Sequence, residues 1–445
     1  MADEKRRAKN RINWHLIARA LRHRNYRLFF GGQGVSLIGT WMTRVATAWL
    51  VYRLTGSAFL LGLVSFASQI PILVLGPFSG VWVDRLNRHR VLVITQALSM
   101  LESFALAGLA LGKVITVEEI ILLNLFQGAV NAFDMPARQA FVIEMVEEPQ
   151  DLGNAIALNS SLVNAARLIG PSVAGLLIAA VGEGWCFLID GFSYLAVIAS
   201  LLAMTVVRAA GGRSHQGVLE ELREGWDYVR GFRPIWSILL LLSLISLVGM
   251  PYTTLMPIFA GAILHGGAHT LGFLMGAVGV GALTGAVSLA ARESVLGLGR
   301  VIAITAGGFG ASLLVFSLSQ QLWLSLLLLV VTGYCFMQQM ASSNTVLQTI
   351  VEDQKRGRVM SFYAMSFQGV APFGSLIAGA AASRFGAPRT LMVGGALCVV
   401  GAVLFARELP RLRALIRPIY VRIGILPEIA TGIQAASLLQ QPPEE

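Results

Sequence analysis

The chain has 445 residues, of which 55% are hydrophobic and 13% are charged, with a formal net charge of +10. So few polar side chains cannot cover a soluble globule of this size, which indicates a polytopic membrane protein. The basic residues concentrate in alternate loops, which lie on one side of the membrane, and do not cluster on one domain. This distribution argues against nucleic acid as a partner. Cys186, Cys335 and Cys398 stand in apolar segments without metal-ligand or redox spacing, so we expect no disulfide, metal or other cofactor.

Twelve apolar segments, each long enough to span a bilayer at about 20 residues, are predicted as membrane helices. They cover residues 26–52, 58–83, 90–112, 118–146, 152–181, 185–207, 234–262, 269–291, 300–319, 321–350, 358–384 and 388–408. The expected fold class is therefore an all-α membrane protein whose twelve transmembrane helices form two six-helix bundles.

The segments divide into six plus six, and weak self-similarity at an offset of about 205 residues is typical of transporters built from duplicated halves. The linker between the halves contains an amphipathic helix, expected on the membrane surface, whose apolar edge is Leu219, Leu222, Trp226 and Val229. The predicted domains are a basic N-terminus (1–25), a first bundle (26–207), the linker (208–233), a second bundle (234–409) and a tail (410–445).

The loops of one side carry 27 of the 34 Lys and Arg residues. Loops rich in Lys and Arg stay in the cytoplasm, so both termini are predicted to be cytoplasmic. The first apolar segment is far longer than a signal-peptide core, and we expect it to remain as a membrane helix. The predicted location is the cell inner membrane.

A polar stripe runs through the fourth segment. Its residues are spaced three or four apart, which places them on one helix face: Asn124, Gln127, Asn131, Asp134 and Arg138. An ionisable group that faces lipid costs a few kcal/mol or more, so this face must contact protein or water. Asp134 and Arg138 can pair directly at a spacing of four. Either this pair is a static lock, or Asp134 exchanges a proton while Arg138 tunes its affinity.

Other polar residues within the predicted helices complete the candidate binding site. Arg44 and Arg167 have no acid nearby in their own helices, so each needs a partner across the bundle or an anionic ligand. Glu102 is a second candidate proton carrier, whereas Asp190 and Glu144, near helix ends, are interpreted as structural. The remaining candidates are Asn164 in the first half, and Tyr252, Gln338 and Tyr363 in the second. The first half is thus expected to provide a polar wall of the site and the second half a neutral or aromatic wall.

The loop after the second segment reads Gly80-x-x-x-Asp84-Arg85-x-Asn87-Arg88-x-Arg90. It resembles the loop signature of the major facilitator superfamily, Gly-x-x-x-Asp-Arg/Lys-x-Gly-Arg-Arg/Lys. In place of the usual turn glycine stands Asn87, which is tolerant of a left-handed conformation. The resemblance implies that Gly80, Asp84, Arg85 and Arg88 form a conformational latch against the start of the eleventh segment, near Gly357 and Arg358.

Two further motifs are partial. Asn124-x-x-Gln127-Gly128 is similar to the superfamily's fourth-helix motif Arg-x-x-Gln-Gly, but asparagine stands where proton-coupled members have arginine. Gly170-Pro171-x-x-Ala174-Gly175 resembles the Gly-Pro-x-x-Gly-Gly motif of drug antiporters, which implies export and adds Gly170 and Pro171 to the latch. The segments 25–29, 41–44 and 136–140 resemble the enterobactin exporter branch of the superfamily.

The sequence therefore predicts a secondary active transporter, not an enzyme, that exports an amphipathic small molecule, either a siderophore-like metabolite or a drug. We expect alternating access, proton antiport, a monomer, and contact with membrane lipid. Two alternatives remain open: a translocator of lipid or lysophospholipid, and a membrane sensor or assembly partner that transports nothing. An enzyme is disfavoured because the segments contain no nucleophile, metal or phosphate-binding motif.

Overall fold

A computed structural model describes residues 19–146, 148–205, 218–292 and 294–425, without the side chains of residues 77, 81, 84, 149 and 218–222. Every regular element among these residues is helical, which confirms the predicted all-α class. Predictions about the first 18 residues, residues 206–217 and the tail from 426 lie outside the described residues. The same holds for the side chains of Leu219 and Leu222.

The first half contains six long helices joined by short connections, so that consecutive helices are antiparallel. A 3₁₀ turn, Arg19–Arg22, precedes the first helix, and another, Pro149–Asp151, precedes the fifth. The helices are α1 (Arg24–Thr55), α2 (Ala58–Arg85), α3 (Arg88–Leu111), α4 (Val117–Met145), α5 (Leu152–Val181) and α6 (Glu183–Leu202).

The linker helix, Val218–Gly231, leads into a second half with six helical segments. Two of these segments contain π turns. A π turn changes the backbone hydrogen-bond pattern, and these turns occur near proline, which has no N–H to donate, or at glycine, which weakens a helix. The segments are α7 (Arg233–Ile263, with π turns Ile245–Gly249 and Phe259–Ile263), α8 (Ala268–Ala290), α9 (Leu298–Leu318), α10 (Leu322–Ile350), α11 (Asp353–Ala364, the π turn Met365–Gly369 and Ala371–Phe385) and α12 (Ala387–Arg422).

Two local features differ from the prediction. Helix α12 continues past residue 408 to Arg422 despite two internal prolines, because Leu409 and Leu412 bury their side chains against the bundle. Asn87 has φ −76°, not a left-handed conformation. Its side chain accepts a hydrogen bond from the backbone N–H of Arg90 at 3.1 Å and thereby caps α3.

The two halves repeat one packing scheme. In the first half α1 packs on α6, α2 on α4, and α3 on both α4 and α6; in the second half α7 packs on α12, α8 on α10, and α9 on both α10 and α12. The most extensive contacts between the halves are α2 with α11 and α5 with α8, and α7 and α8 also touch α1 and α2. The chain is therefore built as two similar bundles joined mainly along two helix pairs.

Among the described residues, glycine-to-glycine contacts join the halves near one end of the helices. We call the end that carries the α2–α3 loop and the linker helix the basic side, and the opposite end the distal side. A Cβ on Gly175 of α5 would lie 2.7 Å from the Cα of Gly272 of α8, and one on Gly62 of α2 would lie 3.0 Å from the Cα of Gly379 of α11. All four glycines lie near the distal helix ends, so backbone contact closes that side.

Nine helices of the described chain are long and apolar enough to cross a membrane. The segments that do not meet this criterion are α1, α4 and α11, and each carries polar residues on its inner face. Large apolar side chains elsewhere point away from the bundle, as contact with lipid requires: Val35, Ile94, Leu101, Leu122, Leu176 and Ile304. The crossing of all twelve segments stays a prediction.

A charged cluster anchors the N-terminal 3₁₀ turn to the start of α5. The fully buried carboxylate of Asp151 binds Arg19, Arg22 at 2.7 Å and His23 at 3.0 Å. Burial tends to raise the pKa of Asp151, but the hydrogen bond from His23 and the charges of Arg19 and Arg22 outweigh it, so the pKa lies below its ordinary value. The backbone N–H of Ala20 also donates to Asn154 at 2.9 Å.

The Asp151 cluster predicts a specific pH dependence of stability. A carboxylate with a lowered pKa in the folded state stabilises fully above its unfolded pKa of about 3.9, and it loses this contribution as the pH falls through the folded value. We therefore expect Asp151→Asn to lower the melting temperature in detergent between pH 5 and 8, with a smaller difference at lower pH. Asp227→Asn, at an exposed position of the linker helix, is the control. A difference that does not vary with pH would contradict the prediction.

The distal contact predicts the effect of a large side chain at Gly175. Gly175→Leu is expected to separate α5 from α8, because no space exists for the new atoms against Gly272. A reporter introduced as Thr47→Cys should then react faster with a membrane-impermeant maleimide added from the distal side. Gly108→Leu is the control, because a Cβ there meets nothing within 4 Å. Equal labelling rates in the two variants would show that this contact does not seal the distal side.

Candidate functional site: a central cavity between the two halves

A cavity of about 920 Å³ lies between the halves. It extends from the closed distal contacts toward the basic side, where Gly76 of α2 and Arg358 and Phe362 of α11 line it. A Cβ on Gly76 or on Gly80 would meet nothing within 4 Å, so the inner face of α2 is open there. The cavity is therefore closed distally and extends toward the basic side.

Charge is distributed unequally around this cavity. Deep in the cavity, the charged groups of its lining all come from the first half: Arg44, Glu102, Arg167 and Asp190. The second half contributes Tyr252, which is buried and in edge contact with Phe309, together with hydroxyl, thioether and aromatic groups of α7, α8 and α11. One wall is thus charged and the other is neutral, as suits an amphipathic molecule.

Two arginines share one tryptophan on the charged wall. The guanidinium carbons of Arg44 and Arg167 lie 4.8 and 5.3 Å from the centre of the Trp41 ring, which places the two cations at most about 10 Å apart. Gly170 allows this geometry, because a Cβ there would lie 2.5 Å from the Cβ of Trp41. Neither arginine forms an ion pair or a hydrogen bond with another described residue, and Arg44 is exposed to the cavity. Both cations can therefore bind a polar or anionic group from the cavity.

Two acids form a second cluster on the same wall. Asp190 of α6 accepts hydrogen bonds from Thr43 at 2.8 Å and from Ser103 at 3.1 Å, and Ser103 lies 3.4 Å from the carboxylate of Glu102. Glu102 and Asp190 are 5% and 1% exposed. Helices α1, α3 and α6 thus bury a pair of carboxyl groups at the cavity wall.

The polar stripe of α4 divides between the cavity and a helix contact. Asn124, Gln127 and Asn131 line the cavity, and Gln127 donates to Ser99 of α3 at 3.0 Å. Asp134 instead is buried against α3 and lies outside the cavity lining.

Asp134 is held by donors from two helices. Its carboxylate pairs with Arg138 and accepts from Thr95 at 2.9 Å and from Gln96 at 2.7 Å. These contacts satisfy the acceptor sites of the buried carboxylate and join α3 to α4. The geometry is that of a locking pair, and proton exchange at Asp134 stays a prediction.

Three other predicted site residues do not line the cavity. Asn164 donates to Ser160 O within α5 at 2.9 Å, and the hydroxyl of Tyr363 donates to Met340 O at 3.0 Å. Gln338 faces a separate cavity of about 230 Å³ among α8, α9 and α10, together with Arg292. Helix α10 contributes no residue to the lining of the central cavity. The neutral wall is supplied by α7, α8 and α11, whereas α10 packs on α8 and α9.

The predicted latch residues fall into separate contacts. Arg88 pairs with Glu144 of α4 at 2.7 Å, within its own half, and Arg358 pairs with Glu224 of the linker helix at 2.5 Å. Arg85 is exposed at the end of α2, and the Asp84 side chain lies outside the described ones. The latch between Asp84 and α11 therefore stays a prediction.

The motif around Pro171 does lie at the junction of the halves. Gly170 packs on α1, whereas the carbonyl of Pro171 would lie 2.8 Å from a Cβ on Gly272. The close contact of Gly175 with Gly272 continues the same junction one turn further along α5.

Sequence reasoning missed the part that Asp190 plays in the cavity. Asp190 was interpreted as structural because it lies toward a helix end, yet it lies about two turns inside α6, which begins at Glu183. An acid so far inside an apolar helix is by default a candidate functional residue, and this signal was available. Its proximity to Glu102 could not be predicted from spacing, because the two residues belong to different helices.

Comparisons with known proteins agree with this architecture. The sequence model of the family described as transmembrane secretion effector matches residues 18–417. The chain is 26% identical to the staphyloferrin A transporter of Staphylococcus aureus, over 86% of this chain and 97% of that protein. It is 29% identical to the multidrug efflux pump Tap of Mycolicibacterium fortuitum, over 85% of this chain and 93% of that protein.

The fold is shared with solved structures. A bacterial homologue of the iron transporter ferroportin, in an inward-facing state, superposes with a TM-score of 0.69 at 15% sequence identity, covering 86% of this chain and 98% of that one.

The contacts of Asp134 predict a stability effect. Asp134→Asn removes the charge that pairs with Arg138, and we expect a loss of roughly 1–3 kcal/mol in the free energy of unfolding. The double variant Asp134→Asn/Arg138→Gln should recover part of this loss, because no unpaired cation remains. Thermal unfolding in detergent measures both. A single variant that melts like the wild type but no longer transports would contradict the locking role and favour proton exchange.

Proposed function

Because the chain belongs to the transmembrane secretion effector family of major facilitator transporters, we propose that it exports an amphipathic small molecule across the membrane by alternating access. The paired, uncompensated arginines on Trp41 carry this proposal. A transporter that holds two cations inside a membrane without an acid partner needs a ligand for them. The siderophore transporter and the multidrug pump among the relatives support export of such a molecule.

The two walls define the chemical class of the substrate. Its polar end carries an anionic or strongly hydrogen-bond-accepting group, since Arg44 and Arg167 offer only donors. Its apolar part contacts the neutral wall, where Tyr252, Met275 and Phe367 provide aromatic and thioether surface. Carboxylate- or phenolate-bearing siderophores and drugs of similar character meet both requirements.

The charge distribution supports an assignment of sides. The basic side is assigned to the cytoplasm, because Lys and Arg concentrate in its loops. Both termini are then cytoplasmic, the membrane is the inner membrane, and the cavity in this structure faces inward. Export follows when the distal contacts separate and the basic side closes.

In this proposal proton antiport supplies the driving force. A single copy of the chain is sufficient for transport. Each half provides one wall of a single cavity, so a second copy is not needed to complete the site. Proton coupling is proposed because the charged wall holds two buried acids, which can bind protons, as well as the arginines.

The arginine pair predicts how transport should change. Arg44→Gln and Arg167→Gln each remove charged donors, which are worth roughly 1.5–3 kcal/mol per hydrogen bond to a charged group. We expect about ten- to hundredfold weaker apparent affinity for an anionic amphipathic substrate. The measurement is accumulation of a panel of labelled siderophores and amphipathic drugs in cells that lack their own exporters.

Arg389→Gln, an exposed substitution on the distal side, serves as the matched control and should transport like the wild type. Each variant is first checked for membrane expression. If both cavity variants export the panel as well as the wild type does, the arginines do not bind substrate. If the wild type exports no compound and moves labelled lysophospholipid in proteoliposomes instead, the exporter proposal is wrong.

A further inference from the structure

We propose that the second cavity, which lies on α10 between α8 and α9, binds the headgroup of an anionic phospholipid from the membrane leaflet on the basic side. We call this cavity of about 230 Å³ the α10 groove. Its ligand carries a phosphate diester and a hydroxyl group, as phosphatidylglycerol does. The α10 groove shares no lining residue with the central cavity, so this inference is independent of the proposed export.

The α10 groove lies near the basic-side ends of its helices. Helices α8 and α9 each pack extensively on α10, and in the described chain they make at most marginal contact with each other. Ser288 in the last turn of α8 lines the groove from one side, and Thr305 lines it from the other. Thr305 lies about two turns inside α9, which begins on the basic side. This depth is close to the level at which lipid headgroups meet their acyl chains.

The face of α10 that lies in this groove changes from apolar to polar along the helix. Its residues are spaced four, three and four apart, which places them on one face: Leu327, Val331, Tyr334 and Gln338. Leu327 and Val331, toward the distal side, are 57% and 41% exposed. Tyr334 and Gln338, toward the basic side, line the groove. An acyl chain can therefore lie along the apolar part while its headgroup occupies the polar part.

A buried amide in the groove lacks a hydrogen-bond partner. Gln338 is 5% exposed, and its Oε1 accepts from no described residue. Its Nε2 donates to the Tyr334 hydroxyl over a long 3.4 Å, and that hydroxyl lies 3.3 Å from Ser288 Oγ. A buried polar atom without a partner costs free energy, which a ligand can recover. A headgroup hydroxyl can both donate and accept, so it suits the amide in either orientation.

A cation lies in the lining of the same groove. Arg292 follows the end of α8, and its guanidinium donates to Ser294 O at 2.9 Å and to Leu296 O at 2.5 Å. These carbonyls fix the guanidinium and leave other N–H donors of its five for a ligand. None of its described partners is an acid, so a phosphate can neutralise its charge. A zwitterionic headgroup would bring a second cation close to Arg292, which favours an anionic lipid.

Lipid retention tests this inference. The full-length protein is freed of lipid in detergent and incubated with equal amounts of phosphatidylglycerol, phosphatidylethanolamine and phosphatidylcholine that carry the same acyl chains. Native mass spectrometry then counts the lipids that each protein molecule retains. We expect phosphatidylglycerol to be retained about tenfold more strongly than either zwitterionic lipid, because their second cation is repelled by Arg292. Soluble glycerol phosphate at the same concentration should not displace it, because that compound has no acyl chain.

Two variants change the α10 groove without changing the lining of the central cavity. Arg292→Gln removes the cation, and Gln338→Leu replaces the amide with an apolar side chain. Each should weaken retention of phosphatidylglycerol about tenfold, because a hydrogen bond to a charged or buried group is lost. Arg300→Gln, at an exposed position in the first turn of α9, removes the same charge outside the groove and should retain lipid like the wild type. The melting temperature in detergent reports whether each variant keeps its fold.

Photocrosslinking locates the lipid in the wild type and needs no variant. A phosphatidylglycerol with a photoreactive group on its headgroup should crosslink to peptides of α10 that contain Tyr334 or Gln338. Crosslinks that lie only elsewhere overturn the inference, and so does a groove that holds water alone and retains no lipid. Equal retention of the three lipids, or unchanged retention in both folded variants, contradicts it as well. Displacement by soluble glycerol phosphate would overturn the assignment to a membrane lipid.

Discussion

The structure depends on one constraint, which is that an ionisable side chain inside a membrane must not face lipid. Arg44, Glu102, Arg167 and Asp190 all lie within long helices, and all four line the cavity between the two halves. The outer surfaces of the same helices carry large exposed apolar side chains. Two bundles that meet around a cavity satisfy both requirements, and a single compact bundle would have to bury these charges in pairs.

The way the halves meet gives the cavity its shape. Glycine contacts bring α2 against α11 and α5 against α8 at the distal side, where backbones touch with no side chain between them. The inner face of α2 near Gly76 and Gly80 has no such contact. In the proposed transport cycle the halves separate at these contacts and meet at the other end, so that the charged wall belongs to one moving half and the neutral wall to the other.

Much of this architecture could be predicted from the sequence, because helix length, hydropathy and loop charge are local properties. The helix bounds agree within a few residues for most segments, and α12 is an exception because buried leucines carry it past two prolines. The sequence also shows that Arg44 and Arg167 have no acid partner in their own helices. These predictions rest on one helix at a time.

Predictions that depend on a neighbouring helix were less successful. Periodicity placed Asp134 on the face of Asn131, but it could not show that Thr95 and Gln96 of α3 cover that end of the stripe. The same limit applies to Gln338, which faces a separate cavity among α8, α9 and α10, and to Asp190, whose neighbour Glu102 lies on another helix. A single sequence contains no information about which helix covers which face.

The most direct test of the central claim is the reactivity of a cysteine at the position of Arg44. Arg44→Cys is labelled with a negatively charged, membrane-impermeant methanethiosulfonate reagent added from the basic side, and Val35→Cys, on an outward-facing position of the same helix, is the comparison. If Arg44 faces a hydrated cavity, Arg44→Cys is labelled rapidly and Val35→Cys is not labelled. Failure of Arg44→Cys to react with the charged reagent, while a lipid-soluble thiol reagent labels it, would show that Arg44 faces no hydrated cavity and would contradict the account.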